Sequence, residues 1–292
     1  MKLYRDFTSQ EELDAEYNPM VGIPDADAVI KGWFDRSTAA IASLTCNLGV
    51  KYGPTCEEYC DVFPAGDGAP IHVFVHGGYW RRFSARDHDF VARPLVEAGI
   101  TAVVINYALC PCVSLDEIVR QTRAAVAWAF AHARDFGADP NRLTVSGHSA
   151  GGHLAAMAMS TDWPGAYGLP PDIIKGGVAI SGLYDLGFVP YSFLQPKVQA
   201  TWRQVARLSP LAQMPDAAGP LVVAVGGGES AEFRRQSTAY HAAWTGAGLN
   251  GAYLEVAETN HLTVLEQLEQ RDGALHRALV RLARCEGDGL PQ

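Results

Sequence analysis

The feature that most restricts the fold is a series of short Val- and Ile-rich runs separated by helical patterns. Ile71-His-Val-Phe-Val75, Thr101-Ala-Val-Val-Ile-Asn-Tyr107, Arg142-Leu-Thr-Val-Ser146, Gly177-Val-Ala-Ile-Ser181, Pro220-Leu-Val-Val-Ala-Val225 and Ala252-Tyr-Leu-Glu-Val256 are each nearly continuous and bounded by Gly, Pro or polar residues. Runs of this length suit strands buried on both faces. The segment from Glu58 to Phe63 alternates instead, and Pro64-Ala-Gly-Asp-Gly68 turns the chain after it. Between the runs, Leu115 to Phe136 has one apolar face and one polar face. Ala150 to Met159 is short and apolar, and Ala231 to Ala247 and Leu262 to Ala283 are amphipathic. Strands alternating with helices predict parallel βαβ units in an open sheet with helices on both faces.

At 292 residues the chain can bury a sizeable core, and no internal repeat or low-complexity tract divides it. Residues 1–55 read differently from the rest, with helical stretches at Glu11–Tyr17 and Ala26–Ser43. The second carries Val29, Ile30, Trp33, Phe34 and Ile41 at helical spacing, the mark of a helix that covers something. Residues 56–285 hold the strand and helix rhythm. It is interrupted at about residues 186–215, where Phe188, Tyr191, Phe193 and Trp202 lie among prolines without a strand pattern. That interval predicts a small cap or lid insertion, and residues 286–292 read as a tail.

The net charge of −9 and the absence of a Lys/Arg stripe argue against nucleic acid as a partner. They also disfavour a strongly anionic substrate unless a local arginine overrides the balance. Charged residues interrupt the N-terminus, which lacks the apolar core of a signal peptide. No segment reaches about 18 uninterrupted apolar residues, so no membrane span is expected. The reading is a cytoplasmic chain whose partner is a small molecule. Its six cysteines are expected to be ordinary thiols. Asp87-His-Asp89 and the scattered histidines lack metal-ligand spacing, so neither metal nor cofactor is expected.

The most informative segment is Arg142-Leu-Thr-Val-Ser-Gly147-His-Ser149-Ala-Gly151-Gly152-His. It places G-x-S-x-G directly after a strand and before a helix. A nucleophilic serine needs this setting: a tight turn lifts its hydroxyl above the sheet edge, and small residues two before and two after let backbone approach. The new helix directs N–H groups and positive dipole at the reacting centre. Ser149 is thus the candidate nucleophile. After the strand Ile71–Val75 comes His76-Gly-Gly-Tyr-Trp80. Its glycines let main chain lie against a substrate oxygen, so the N–H groups of Gly77, Gly78 and Ala150 are the candidate oxyanion donors. His76 is read as an orienting residue.

A base must emerge after the last strand to reach such a serine. His261, in Glu258-Thr-Asn-His-Leu-Thr263, stands there, whereas His241 and His276 fall within helical patterns. The acid is expected after Leu221–Val225, where Glu229 and Glu232 compete. Glu229 is in the loop itself and is preferred. Glu232 falls on the first helical turn, where it would complement the helix dipole, and Asp185 is a third candidate that more readily shapes the pocket. Tyr79, Trp80, Tyr107 and Tyr184 are expected to line the pocket with His76 and Asp185, and they suit an aromatic or small apolar substrate.

With these pieces in order over about residues 56 to 283, the chain resembles the kynurenine formamidase-like (arylformamidase) branch of the α/β-hydrolases, which is related to the hormone-sensitive-lipase-like esterases. HGGYW at 76–80 carries the resemblance most specifically. It is joined by Gly147-His-Ser-Ala-Gly-Gly-His-Leu154, Ile180-Ser-Gly-Leu-Tyr-Asp185, Glu229-Ser-Ala-Glu-Phe-Arg-Arg-Gln236 and Asn260-His-Leu-Thr263. The resemblance implies an α/β-hydrolase fold with a mostly parallel central sheet, and a Ser149, Glu229 and His261 triad. It also implies hydrolysis of an ester or amide, N-formyl-kynurenine among the substrates of some members. Animal members carry Asp where Glu229 stands. The resemblance leaves monomer and homodimer open. The rival reading is a non-catalytic ligand-binding protein on the same fold, which would usually lack one triad member; here each member has a candidate.

Overall fold

The computed structural model describes residues 2–285 and 290. Eight strands form one sheet: β1 (Asn47–Lys51), β2 (Tyr59–Phe63), β3 (Ala69–Val75), β4 (Thr101–Ile105), β5 (Ala138–His148), β6 (Gly176–Ile180), β7 (Leu221–Gly226) and β8 (Gly251–Val256). Their spatial order is β1-β2-β4-β3-β5-β6-β7-β8. β2 runs antiparallel to both β1 and β4, and every pairing from β4 to β8 is parallel. The helices are α1 (Gln10–Tyr17), α2 (Ala26–Ser43), α3 (Ala92–Glu97), α4 (Leu115–His132), α5 (Ala150–Met159), α6 (Trp163–Tyr167), α7 (Gln195–Val198), α8 (Trp202–Leu208), α9 (Ala231–Gly246), α10 (Glu266–Glu269) and α11 (Ala274–Arg284).

Strand side chains alternate between two cores, as the two-residue period requires. On β7, Leu221, Val223 and Val225 face the layer that holds α4, α5 and α9, while Val222 and Ala224 face the layer of α2, α3 and α11. Both faces are covered, which is why these strands read as unbroken apolar runs.

One expectation needs correction. The amphipathic stretch from Leu262 to Ala283 is not one helix. It is a 3-10 turn (Thr263–Leu265), α10 and α11, broken at Gln270–Gly273. A Cβ at Gly273 would lie 2.1 Å from the Gln267 carbonyl oxygen, so the chain turns where only glycine fits. The periodic apolar pattern resumes in phase beyond the turn and hides it. The strand β1 and the helix α3 had no sequence signal, because β1 is a half-exposed edge and α3 is under two turns long. The proposed tail, 286–292, lies outside the described residues except for Leu290.

The segment Ala85–Val91, on the connection from β3 to α3, is tied to β2 by the Arg86–Asp61 ion pair and carries a second buried acid. Asp61 on β2 accepts the Gly49 N–H at 2.6 Å and pairs with Arg86 Nε at 2.5 Å. Asp89 lies beside it, fully buried. Burial and then the Asp61 charge raise the Asp89 carboxyl well above the usual carboxylate range. The folded chain therefore holds a proton that the unfolded chain, with an ordinary carboxyl near 4, releases. Stability should accordingly fall as pH rises above about 4. Urea unfolding at pH 5.5 and 8.5 should show this decline in the wild type and a smaller one in Asp89→Asn; equal declines would refute the assignment.

Candidate active site

The ends of parallel strands gather the site. Ser149 directly follows β5, at the turn into α5. Its backbone sits at φ 58° and ψ −118°, a conformation that a non-glycine residue holds only when its surroundings force it. The surroundings are visible. Val75 pairs with Gly147 across β3 and β5, and the Ser149 N–H donates to the Ile180 carbonyl at 2.8 Å. A Cβ on Gly151 would lie 2.0 Å from the Val75 carbonyl oxygen, and one on Gly147 would lie 2.2 Å from that of Gly151. The elbow is thus pressed against the end of β3. Ala150 is the first residue of α5, so its N–H has no intrahelical acceptor.

The loop after β3 lies against this elbow. A Cβ on Gly77 would come within 2.8 Å of the His148 carbonyl and 3.3 Å of Ser149 Cβ. Gly78 has φ 104°, and Tyr79, Trp80 and Phe83 also have positive φ. Tyr107 supports the loop from behind: its hydroxyl donates to the His76 carbonyl at 2.9 Å, and its ring stacks on His76 with centroids 4.1 Å apart. Gly77, Gly78, Tyr79, Ser149 and His261 all line one cleft of about 620 Å³, open mouth included.

His261 follows β8, and Glu229 follows β7. His261 Nδ1 donates to Glu229 Oε2 at 2.6 Å. Glu229 Oε1 accepts from the Ser181 hydroxyl at 2.5 Å and the Gly226 N–H at 2.7 Å. Three donors therefore fix this carboxylate, and its bond to Nδ1 leaves His261 Nε2 with a free lone pair. The Ser149 hydroxyl is not hydrogen-bonded to His261 here; such contacts often tighten only around substrate. Glu232 is engaged elsewhere, by the Tyr17 hydroxyl at 2.7 Å and by Arg235 at 2.7 and 2.8 Å.

Of the six residues expected to line the pocket, only Tyr79 does. Trp80 is fully buried and donates from Nε1 to His153 Nδ1 at 3.2 Å. Tyr184 stacks on Tyr240 at 4.3 Å in the core. His76 and Tyr107 stand behind the glycine loop as described. Asp185 caps the 3-10 turn Leu186–Tyr191 through the Gly187 N–H and accepts from the Tyr4 hydroxyl at 2.9 Å. These residues shape the walls at one remove, because the aromatic density that signals a pocket also fills a core.

The actual lining comes largely from segments with weaker signals. Asn18, Pro19 and Met20 follow α1, Ile30 and Trp33 project from α2, and Phe193 comes from the insertion. The Tyr79 hydroxyl donates to the Tyr17 carbonyl and so fastens the N-terminal segment to the cleft. His148, the variable position of G-x-S-x-G, also lines the cleft. Its Nε2 donates to the His261 carbonyl at 2.7 Å, and its ring lies 4.7 Å from that of His261. Burial first, then the neighbouring His261 and His88, hold His148 well below the usual histidine range. No spacing rule marks such a residue in advance.

A family model described as alpha/beta hydrolase fold matches residues 72–265. The kynurenine formamidase of Danio rerio is 33% identical, covering 94% of this chain and 96% of that protein. The kynurenine formamidase of Salmo salar is 31% identical over 97% and 99%. Among solved structures, a candidate thioesterase from a Silicibacter species superposes with a TM-score of 0.81 at 28% identity, over 94% and 99% of the two chains.

Gly151→Ala, which must push the elbow off β3, should lower ester turnover at least about tenfold and reduce the melting temperature. A variant with wild-type kinetics and stability would show that the elbow has slack that the present packing denies it.

Proposed function

The chain belongs to the α/β-hydrolase fold family, in the branch that holds the kynurenine formamidases, and is a hydrolase; we propose that it cleaves an arylformamide or a small aryl ester through an acyl-enzyme on Ser149. His261 Nε2 takes the serine proton as the hydroxyl attacks the carbonyl carbon. The N–H groups of Gly77, Gly78 and Ala150 stabilise the oxyanion. His261 then gives the proton to the departing amine or alcohol, and water repeats the sequence on the acyl-enzyme. Glu229 holds the imidazole in the required tautomer and steadies the imidazolium.

The observation that carries this reading is the 2.6 Å Glu229–His261 hydrogen bond at the edge of a cleft that Ser149 also lines. The non-catalytic alternative loses support because no member of the set is missing or turned to another partner. N-formyl-kynurenine is the first substrate to try, given relatives of that activity matched over nearly the whole chain. The cleft suits a flat aryl group, with Trp33, Tyr79, Phe83 and Phe193 in its wall.

Ser149→Ala and His261→Asn should each lower kcat/KM by about 10⁴ or more, and Glu229→Gln by about 10³–10⁴. Glu232→Gln should cost at least about a hundredfold less than Glu229→Gln. Steady-state assays with N-formyl-kynurenine and phenyl acetate read all four variants. Unchanged turnover in Ser149→Ala would sink the mechanism, and reversed ranking of the two glutamates would move the acid to Glu232.

A further inference from the structure

The cleft carries a charge opposite to that of the whole chain. The net charge is −9, yet two arginines, Arg81 and Arg82, line the cleft and no Asp or Glu does. Arg36, Arg86, Arg120, Arg207 and Arg235 elsewhere each meet a carboxylate. Among the described residues, Arg81 and Arg82 meet none. Arg82 is exposed, and its guanidinium lies over the neighbouring Phe83 ring.

Arg81 is the better placed of the two. It is half-buried, and its guanidinium lies over the Phe193 ring, 5.4 Å from the centroid. Its Nε is buried without a hydrogen-bond partner. The tight turn from the Gly78 carbonyl to the Arg81 N–H, at 3.1 Å, ties it to the glycine loop beside Ser149. Asp14 is engaged by the Phe193 N–H at 2.8 Å and the Gln10 amide at 3.2 Å. A half-buried guanidinium over an aromatic face, with a buried Nε that has no hydrogen-bond partner, can offer the planar pair of donors that a carboxylate matches.

We propose that Arg81 is the specificity-determining residue of this cleft and selects substrates that bear a carboxylate, with Phe193 holding its guanidinium flat. The inference rests on the hydrolase reading above and names the substrate class of that same site. Arg82, at the exposed rim, contributes mainly long-range attraction, which salt screens.

The test uses two matched ester pairs on the full chain: phenyl acetate against 3-acetoxybenzoate, and phenyl butyrate against monophenyl succinate. The first pair places the carboxylate on the leaving group, the second on the acyl group. Wild type should favour the carboxylate member of at least one pair in kcat/KM. Arg81→Gln should lower that preference about 10- to 100-fold, chiefly through KM, as loss of a charge-assisted bidentate contact predicts. Arg81→Lys should restore part of it. A ratio within each variant is insensitive to any general loss of folding. No preference in either pair, or a preference that survives Arg81→Gln, overturns the assignment while leaving the hydrolase reading intact. No turnover of any of the four esters or of N-formyl-kynurenine would overturn both.

Discussion

The site depends on one close contact between main chains. Parallel pairing sets Val75 opposite Gly147, and the turn beyond it brings Gly151 against the Val75 carbonyl, too near for a Cβ. That contact holds Ser149 in its unfavourable backbone conformation and sets the His76–Gly78 loop alongside. A strained residue persists only where neighbours over-determine it. Here β6 supplies the second restraint, through the Ile180 carbonyl on the Ser149 N–H. The remaining groups follow from sheet order: β7 and β8 lie beyond β6, so their loops deliver Glu229 and His261 to the same edge. Ligand sites at the carboxyl ends of parallel strands are the general outcome of this architecture.

The electrostatic setting of His261 follows from burial around it. His76, His88 and His148 are buried, and desolvation lowers them to about 3, to about 4 and well below the ordinary range respectively. All three therefore stay neutral at neutral pH. In the proposed mechanism, charged histidines around the site would repel an imidazolium on His261. Among the described residues, Glu229 is then the one carboxylate hydrogen-bonded to that ring. Arg81 and Arg82 line the same cleft, in a chain whose overall charge is negative.

The core strands were legible because burial on both faces leaves a plain mark, a run of Val and Ile with Gly or Pro at its ends. Ser149, Gly77, Gly78 and the loop holding His261 were legible because steric crowding restricts which residues can stand there. Glu229 and Glu232 could not be parted with certainty by spacing alone: three positions separate a loop from a helical turn, and only the Tyr17 and Arg235 contacts show Glu232 engaged elsewhere. Pocket residues were least legible. Trp80, Tyr107 and Tyr184 have the composition of a substrate wall, and they fill the layer behind it.

Sequence by itself determined the parallel strands, the order of the strand-end loops and the candidate residues proposed for acyl transfer, since each depends on local period, turn chemistry or steric tolerance. Tertiary structure alone decided which acid meets His261, that His148 braces it, and that Trp33, Arg81 and Phe193 from three distant segments share one cleft. Those facts are contacts across long separations in the chain, and no local pattern encodes which buried side chain ends at the wall and which ends behind it.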